Sequence, residues 1–265
     1  MAAATIGMGA AGMAGCKDNL KPIVEREDKN IVVGVTNYKP MDYIENGEWV
    51  GFDADLARKV LSNLGYTVKF QEMDWNTKIV TLKAGTIDVI WNGMTVTDEL
   101  KENILLSDVY LENRQYGVVK ASEAENYTSA ANLAGKTVAY ESGSAAEGLV
   151  KDIECTKNGI NTQNAAVMEV AANKSDVAVV DYLLAVTLTS EGSDYFGKLV
   201  AVDLGFAVEE FAIGFRKIDT QLCDDVNAQI KKLTEEGFVR TLAEKYGIEN
   251  NARTCELHRK CNKYL

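Results

Sequence analysis

GTIDVIWNGMTVTDEL, Gly85 to Leu100, is the stretch whose reading decides the fold. A turn glycine opens it and a β-rich apolar segment runs from Ile87 to Trp91. Asn92-Gly93-Met94-Thr95-Val96-Thr97 then breaks the segment into small and polar residues before Asp98-Glu99. A buried strand that ends in hydroxyl-bearing, backbone-exposing residues is the signature of an α/β sheet, which presents groups to a ligand at the carboxyl ends of its strands.

Upstream, Ile31 to Val35 (IVVGV) reads as a buried parallel strand. The loop Thr36 to Val50, with Tyr38, Pro40, Tyr43 and Gly47, follows neither the helical nor the strand period. Phe52, Leu56, Ala57, Val60, Leu61 and Leu64 then fall on one helical face. Asp53 and Asp55 stand where the helix dipole favours acids, and Gly65 reads as a C-cap. Tyr66 to Phe70 is the next strand, and Trp75, Ile79 and Leu82 form the stripe of a helix that stops at Gly85. The order β-α-β-α-β favours a parallel sheet with right-handed crossovers.

The pattern recurs downstream. Lys136 to Tyr140 reads as a strand, Gly143-Ser144 as the turn into a helix reaching Lys151, and a weak strand lies within Cys155 to Thr162. Ala165 to Ala172 is helical and Asp176 to Asp181 is a strand, with Asp176-Val177-Ala178 at the position that Asp88-Val89-Ile90 holds in the first unit. Gln115 to Lys120 and Phe211 to Arg216 are extended crossings, and Asp219 to Tyr246 is helical. The expectation is an α/β protein of two βαβαβ lobes joined by a two-segment hinge, with the ligand cleft between them. Lobe 1 would span 29–117 plus 207–250 and lobe 2 118–206, leaving a tail over 251–265.

The 265 residues are 46% hydrophobic and 25% charged, enough for a sizeable core, and the formal charge of -11 argues against a nucleic-acid partner. The small apolar start MAAATIGMGAAGMAG reads as a signal, and Met13-Ala14-Gly15-Cys16 resembles a bacterial lipobox. That makes 1–28 a truncated lipoprotein signal and tether with Cys16 as the lipidation site, and export to the outer face of the membrane or the periplasm. Cys155, Cys223, Cys255 and Cys261 lack CxxC spacing and the chain has one histidine, His258, so no metal site is expected. Cys255 with Cys261 is the nearest pair for a disulfide, and free thiols fit equally. No cofactor is expected.

Over roughly Asn30 to Asn250 the chain resembles bacterial solute-binding proteins of the polar amino-acid ABC-transporter class. Gly51 to Leu56, Trp75 to Thr97, Asn113-Arg114-Gln115, Asn132 to Lys136 with Gly143-Ser144, Asp176 to Asp181 and Glu210 to Lys217 carry the resemblance. It implies a monomer that holds an amino acid or analogue between its lobes and delivers it to ABC permease subunits. By position, Gly93 would offer its carbonyl and Thr95 its hydroxyl and amide, with Asn92 beside them. Ser144 would meet the ligand carboxylate, Asp181 would pair with the α-ammonium, and Tyr38 and Trp75 would sandwich the side chain. Each has a plainer use: Asp181 and Ser144 as helix caps, Trp75 as core, Tyr38 as a loop aromatic. Trp91 reads as core. The family pattern has a carboxylate-binding Arg where this chain has Leu100, which leaves Lys78 or Arg114 as possible substitutes. The alternatives are a sensing module without transport and a dehydratase-type enzyme on the same fold, with Glu141 or Asp181 as its acid.

Overall fold

The structure is a computed structural model that describes residues 20–249, so the expected leader with Cys16 and the tail with Cys255, His258 and Cys261 lie outside the described residues. Two five-stranded sheets dominate. The first runs Thr67–Glu72, Asn30–Val35, Val89–Ile90, Gly214–Phe215, Leu105–Leu106; the second runs Thr156–Ile160, Thr137–Glu141, Val177–Asp181, Gln115–Lys120, Leu199–Val202. In each, the first strand of the βαβαβ unit lies between the second and third, and both contacts are parallel. The sheets are not wholly parallel. Gly214–Phe215 and Gln115–Lys120 each join antiparallel to the third strand of their lobe, because the chain enters them from the crossings and not from a helix.

The equivalence of Asp88 and Asp176 extends to single atoms. Asp88 Oδ2 accepts the Val32 amide at 2.9 Å while its own amide donates to the Val32 carbonyl. Asp176 Oδ2 accepts the Thr137 amide at 2.7 Å while its amide donates to the Thr137 carbonyl. Each carboxylate thus extends the parallel ladder by one rung and fixes the register of the third strand against the first.

The hinge consists of Leu111–Asn113 paired antiparallel with Glu209–Phe211. The backbone of Gln115 to Lys120 pairs with strands of the second sheet, so the first change of sheet falls at Arg114. The last helices, Thr220–Glu235 and Phe238–Lys245, return to pack on the helix Phe52–Asn63 of lobe 1.

Two local readings change. The loop Thr36 to Val50 contains a hairpin of Tyr43–Glu45 with Glu48–Val50, turned by Asn46 and Gly47 at φ +52° and +84°. Asn-Gly is the strongest short hairpin signal, because both central residues of that turn need positive φ. Residues 20–28, expected as tether, are laid on lobe 1. Ile23 is fully buried and its amide donates to Asp219 Oδ1 at 2.8 Å. Arg216 holds the same carboxylate through two nitrogens at 2.6 and 3.1 Å, and Arg26 pairs with Asp88 at 3.0 Å.

The N-terminus of the helix Phe52–Asn63 has no side-chain cap. Its first amides instead donate to loop carbonyls, Phe52 to Pro40 at 2.9 Å and Asp53 to Met41 at 3.0 Å. Gly51, at φ +129°, allows this approach. The arrangement turns Asp53 inward, where its Oδ2 accepts from the Gly93 amide at 2.6 Å and from the Tyr110 hydroxyl at 2.8 Å. The strand expected from Ile87 to Trp91 therefore keeps ladder pairing only at Val89–Ile90 and then kinks through Gly93, at φ +53°.

Candidate functional site

Between the lobes lies a cleft of about 820 Å³. Trp75, Lys78, Asn92, Gly93, Thr95 and Leu100 line it from lobe 1, Glu141, Gly143, Ser144, Gln163 and Asp181 from lobe 2, and Gln115 and Glu209 from the crossings. Six of the seven expected site residues line the cleft. The seventh, Tyr38, lies beneath the floor: a Cβ on Gly93 would stand 2.6 Å from its ring.

Asp181 is at the floor. It precedes the helix Tyr182–Thr189 but makes no side-chain cap, so the plainer use does not describe it. Its carboxylate instead accepts from three side-chain amides, those of Asn113, Gln163 and, at 2.7 Å, Gln115. Gln115 Nε2 also donates to Glu209 Oε2 at 2.9 Å, and the Thr95 hydroxyl donates to the same oxygen at 3.0 Å. Burial, reinforced by the nearby Glu209 charge, raises the Asp181 carboxyl to about 7 against the three amides. Burial likewise lifts Glu209, and it lifts Glu141 to about 8 with help from Asp181. Glu141 and Asp181 end neighbouring parallel strands, which is why the second sheet delivers both to one place.

Ser144 precedes the six-residue helix Ala145–Val150, and its side chain makes no cap either. Its hydroxyl is buried without a hydrogen-bond partner among the described residues, and its amide donates to the Glu141 carbonyl at 3.1 Å. The Tyr38 hydroxyl is buried beside the Asp181 carboxyl. Burial and the charges of Asp181, Asp53 and Glu209 hold it well above the usual tyrosine range. Trp75 serves both readings, lining the cleft while 7% exposed within a core cluster. Asn92 is a strut. Its Oδ1 accepts from the Thr36 amide and hydroxyl at 2.9 and 2.6 Å, and its Nδ2 donates to Asp42 Oδ2 at 2.6 Å. The Gly93 amide is spent on Asp53. Trp91 is wholly buried, as core.

Leu100 is 2% exposed and packs with Leu82, Ile87, Ile90, Met94 and Ile104 at the edge of the cleft. Of the two cations weighed as substitutes, Arg114 is half exposed and lies 4.0 Å from Asp203, away from the cleft lining. Lys78 is in the cleft and buried. Its Nζ donates across to the Gly143 carbonyl at 2.7 Å and lies 4.7 Å from the centre of the Trp75 ring. Burial lowers its pKa. The Asn164 side chain donates to the Asn37 carbonyl, a second bond between the lobes.

Sequence reasoning named Glu141 only as a possible acid and missed Gln115, Gln163 and Glu209 as cleft residues. For the crossing a signal was present: Asn113 and Gln115 are two apart in an extended run and so share a face. Among the described residues no group of His, Cys, Asp and Glu is arranged to hold a metal ion, and no helix is long and apolar enough to cross a membrane.

The buried acids make stability depend on pH. At pH 6 Asp53 and Asp181, near 7, and Glu141, near 8, keep protons in the folded protein. In the unfolded chain such carboxyls have already released theirs, since they titrate near 4. The folded state binds more protons, so the stability of the ligand-free protein falls as pH rises from 6 to 8, on the order of 1 kcal/mol per group. Calorimetry at the two pH values checks this. A Tm equal or higher at pH 8 would show these acids ionised throughout.

The family model described as bacterial extracellular solute-binding proteins, family 3, matches residues 31–249. The arginine-binding extracellular protein ArtP of Bacillus subtilis is 30% identical over 228 residues, 84% of this chain and 88% of that protein. A Streptococcus pneumoniae ABC uptake transporter substrate-binding protein, solved with bound histidine, superposes with a TM-score of 0.76 at 31% identity, covering 82% of this chain and 92% of that one. The ancestral amino acid-binding protein AncCDT-1, a precursor of cyclohexadienyl dehydratase, gives a TM-score of 0.76 at 29% identity, over 82% and 95%. With two lobes, a paired-strand hinge and a cleft between them, the chain belongs to the bacterial extracellular solute-binding proteins of family 3.

Proposed function

We propose that this chain captures a polar amino acid or close analogue for an ABC importer and delivers it to a membrane permease. The observation that carries this reading is Asp181. Its carboxylate faces the cleft, is oriented by three amides, and has no ion-pair partner among the described residues. An acid prepared in this way is a receptor for an ammonium group, since a buried charge needs a partner. Trp75 would cover the rest of the ligand, and Ser144, across the cleft, would meet its far end. Binding would favour the closed form already bridged by Lys78 and Gly143, and the permease would read closure. The relatives' names support binding over catalysis. Lipid attachment at Cys16 and a monomeric state belong to the same proposal.

Titration calorimetry of the protein against the amino acids and small amines at pH 8 tests it. The expected result is saturable one-to-one binding of at least one of them, with a matching rise in Tm. No heat and no shift with any of them at millimolar concentration would sink the reading.

A further inference from the structure

Resting on the reading of the cleft as the ligand site, we infer that Lys78 is a positioning residue that acts on the lobes and not on the ligand. It latches lobe 1 to the Gly143 turn of lobe 2, and so scales the affinity for every ligand by one common factor.

The placement of the ammonium is the first ground. Lys78 opens the helix Lys78–Lys83 directly after the turn Trp75–Thr77. Its Nζ donates to two backbone carbonyls, that of Trp75 in its own lobe at 3.3 Å and that of Gly143 in the other at 2.7 Å. The Trp75 ring centre lies 4.7 Å away. Carbonyl and ring hold the charge on lobe 1 and aim it across the cleft. Burial lowers its proton affinity, and acids of both lobes oppose that: Glu99 and Asp74 from lobe 1, Glu141 and Glu147 from lobe 2. When the lobes part, the ammonium gives up the Gly143 carbonyl and the two lobe 2 acids together.

The receiving turn is the second ground, and an independent one. Gly143 has φ +76°, and its amide donates to Glu147 Oε2 at 2.7 Å, which fixes the turn. A Cβ on Gly143 would stand 2.8 Å from the Asn76 Cα and 3.0 Å from Asn76 Oδ1. The backbones of the two lobes thus lie too close for a side chain at the point where the latch is made. Asn164 on the Asn37 carbonyl ties the lobes at a separate point, so Lys78 supplies a share of the attachment.

A bond between the lobes belongs to the protein and contributes alike whatever fills the cleft. A ligand that needs the lobes together has its apparent affinity scaled by the population of that arrangement. A hydrogen bond from a charged donor is strong enough to change that population roughly tenfold or more. The loss on removing it is then the same with or without a carboxylate on the ligand. That separates a latch from a cation standing in for arginine at position 100.

Lys78→Met and Gly143→Ala in the full chain test this by two measurements. Small-angle scattering without added ligand reads the lobes directly, and both variants should show a larger radius of gyration than the parent. Calorimetry with arginine, histidine, glutamine and agmatine, which is arginine without its carboxylate, reads the affinity. Every probe that binds the parent should bind Lys78→Met roughly tenfold or more weakly, by one factor across the probes. An unchanged radius for Lys78→Met overturns the inference. So does a loss confined to the amino acids and absent for agmatine, which would make Lys78 a direct contact of the carboxylate. Should no probe bind the parent, the reading of the cleft fails while the scattering still decides the latch.

Discussion

Asp181→Asn is expected to weaken binding of the ligand that gives the largest calorimetric response by roughly 30-fold or more, with little change in Tm. Removing one member of a buried, hydrogen-bonded charge pair costs about 2–5 kcal/mol, and each 1.4 kcal/mol is about tenfold in affinity. Geometry adds to the loss. Asn113, Gln115 and Gln163 all direct N–H groups at this carboxylate, so the amide nitrogen of an asparagine would meet donors with a donor. Stability should be spared, because the substitution also removes a buried anion that has no partner in the empty cleft. Titration calorimetry measures the first effect and scanning calorimetry the second. A folded variant that binds within about fivefold of the parent would place the ammonium elsewhere.

Gly51→Ala should give the largest loss of stability, on the order of 3–5 kcal/mol. A Cβ at Gly51 would lie 2.1 Å from the Met41 carbonyl oxygen and 2.8 Å from that of Pro40. Those are the carbonyls that cap the helix Phe52–Asn63, so neither can retreat without releasing the Phe52 or Asp53 amide. The backbone there, at φ +129°, is in addition one that side chains avoid. The fall in Tm should be about 6–20 °C. Gly47→Ala is the control, since Gly47 also has positive φ, at +84°, but nothing within 4 Å of the added carbon. It should cost only about 1 kcal/mol. Equal losses at the two positions would mean that conformation, and not the carbonyl contact, sets the demand for glycine.

The sequence made the architecture legible because the buried strands and the Phe52 helix are periodic. Ile31 to Val35 and Asp176 to Asp181 have few other uses, and Phe52, Leu56, Val60 and Leu61 are all fully buried on one face. The mixed direction of the sheets was less legible, since whether a crossing joins a sheet depends on how the lobes are connected. Glycine and Asn-Gly chemistry was available in Asn46-Gly47 and passed over because the flanking loop lacks a period. At the cleft, single positions such as Asp181 and Ser144 were legible from motif order. The network that joins Asp181 to Glu209 was not, because it spans Asn113, Gln115 and Gln163 on separate segments and exists only after folding. Asp53 is similar. Its place in a first helical turn suits the dipole, yet its carboxylate is wholly buried against Gly93 and Tyr110.

The clasp of residues 20–29 on Asp219 and Arg216, together with the return of the last helices to lobe 1, also sets the molecule's mechanics. Whatever precedes residue 20 and whatever follows residue 249 leaves from the same lobe. Lobe 2 is inserted into that body, and the chain passes to it and back through two adjacent strands. A pull on either end of the chain would therefore load lobe 1 first and reach lobe 2 only through the paired strands of the hinge.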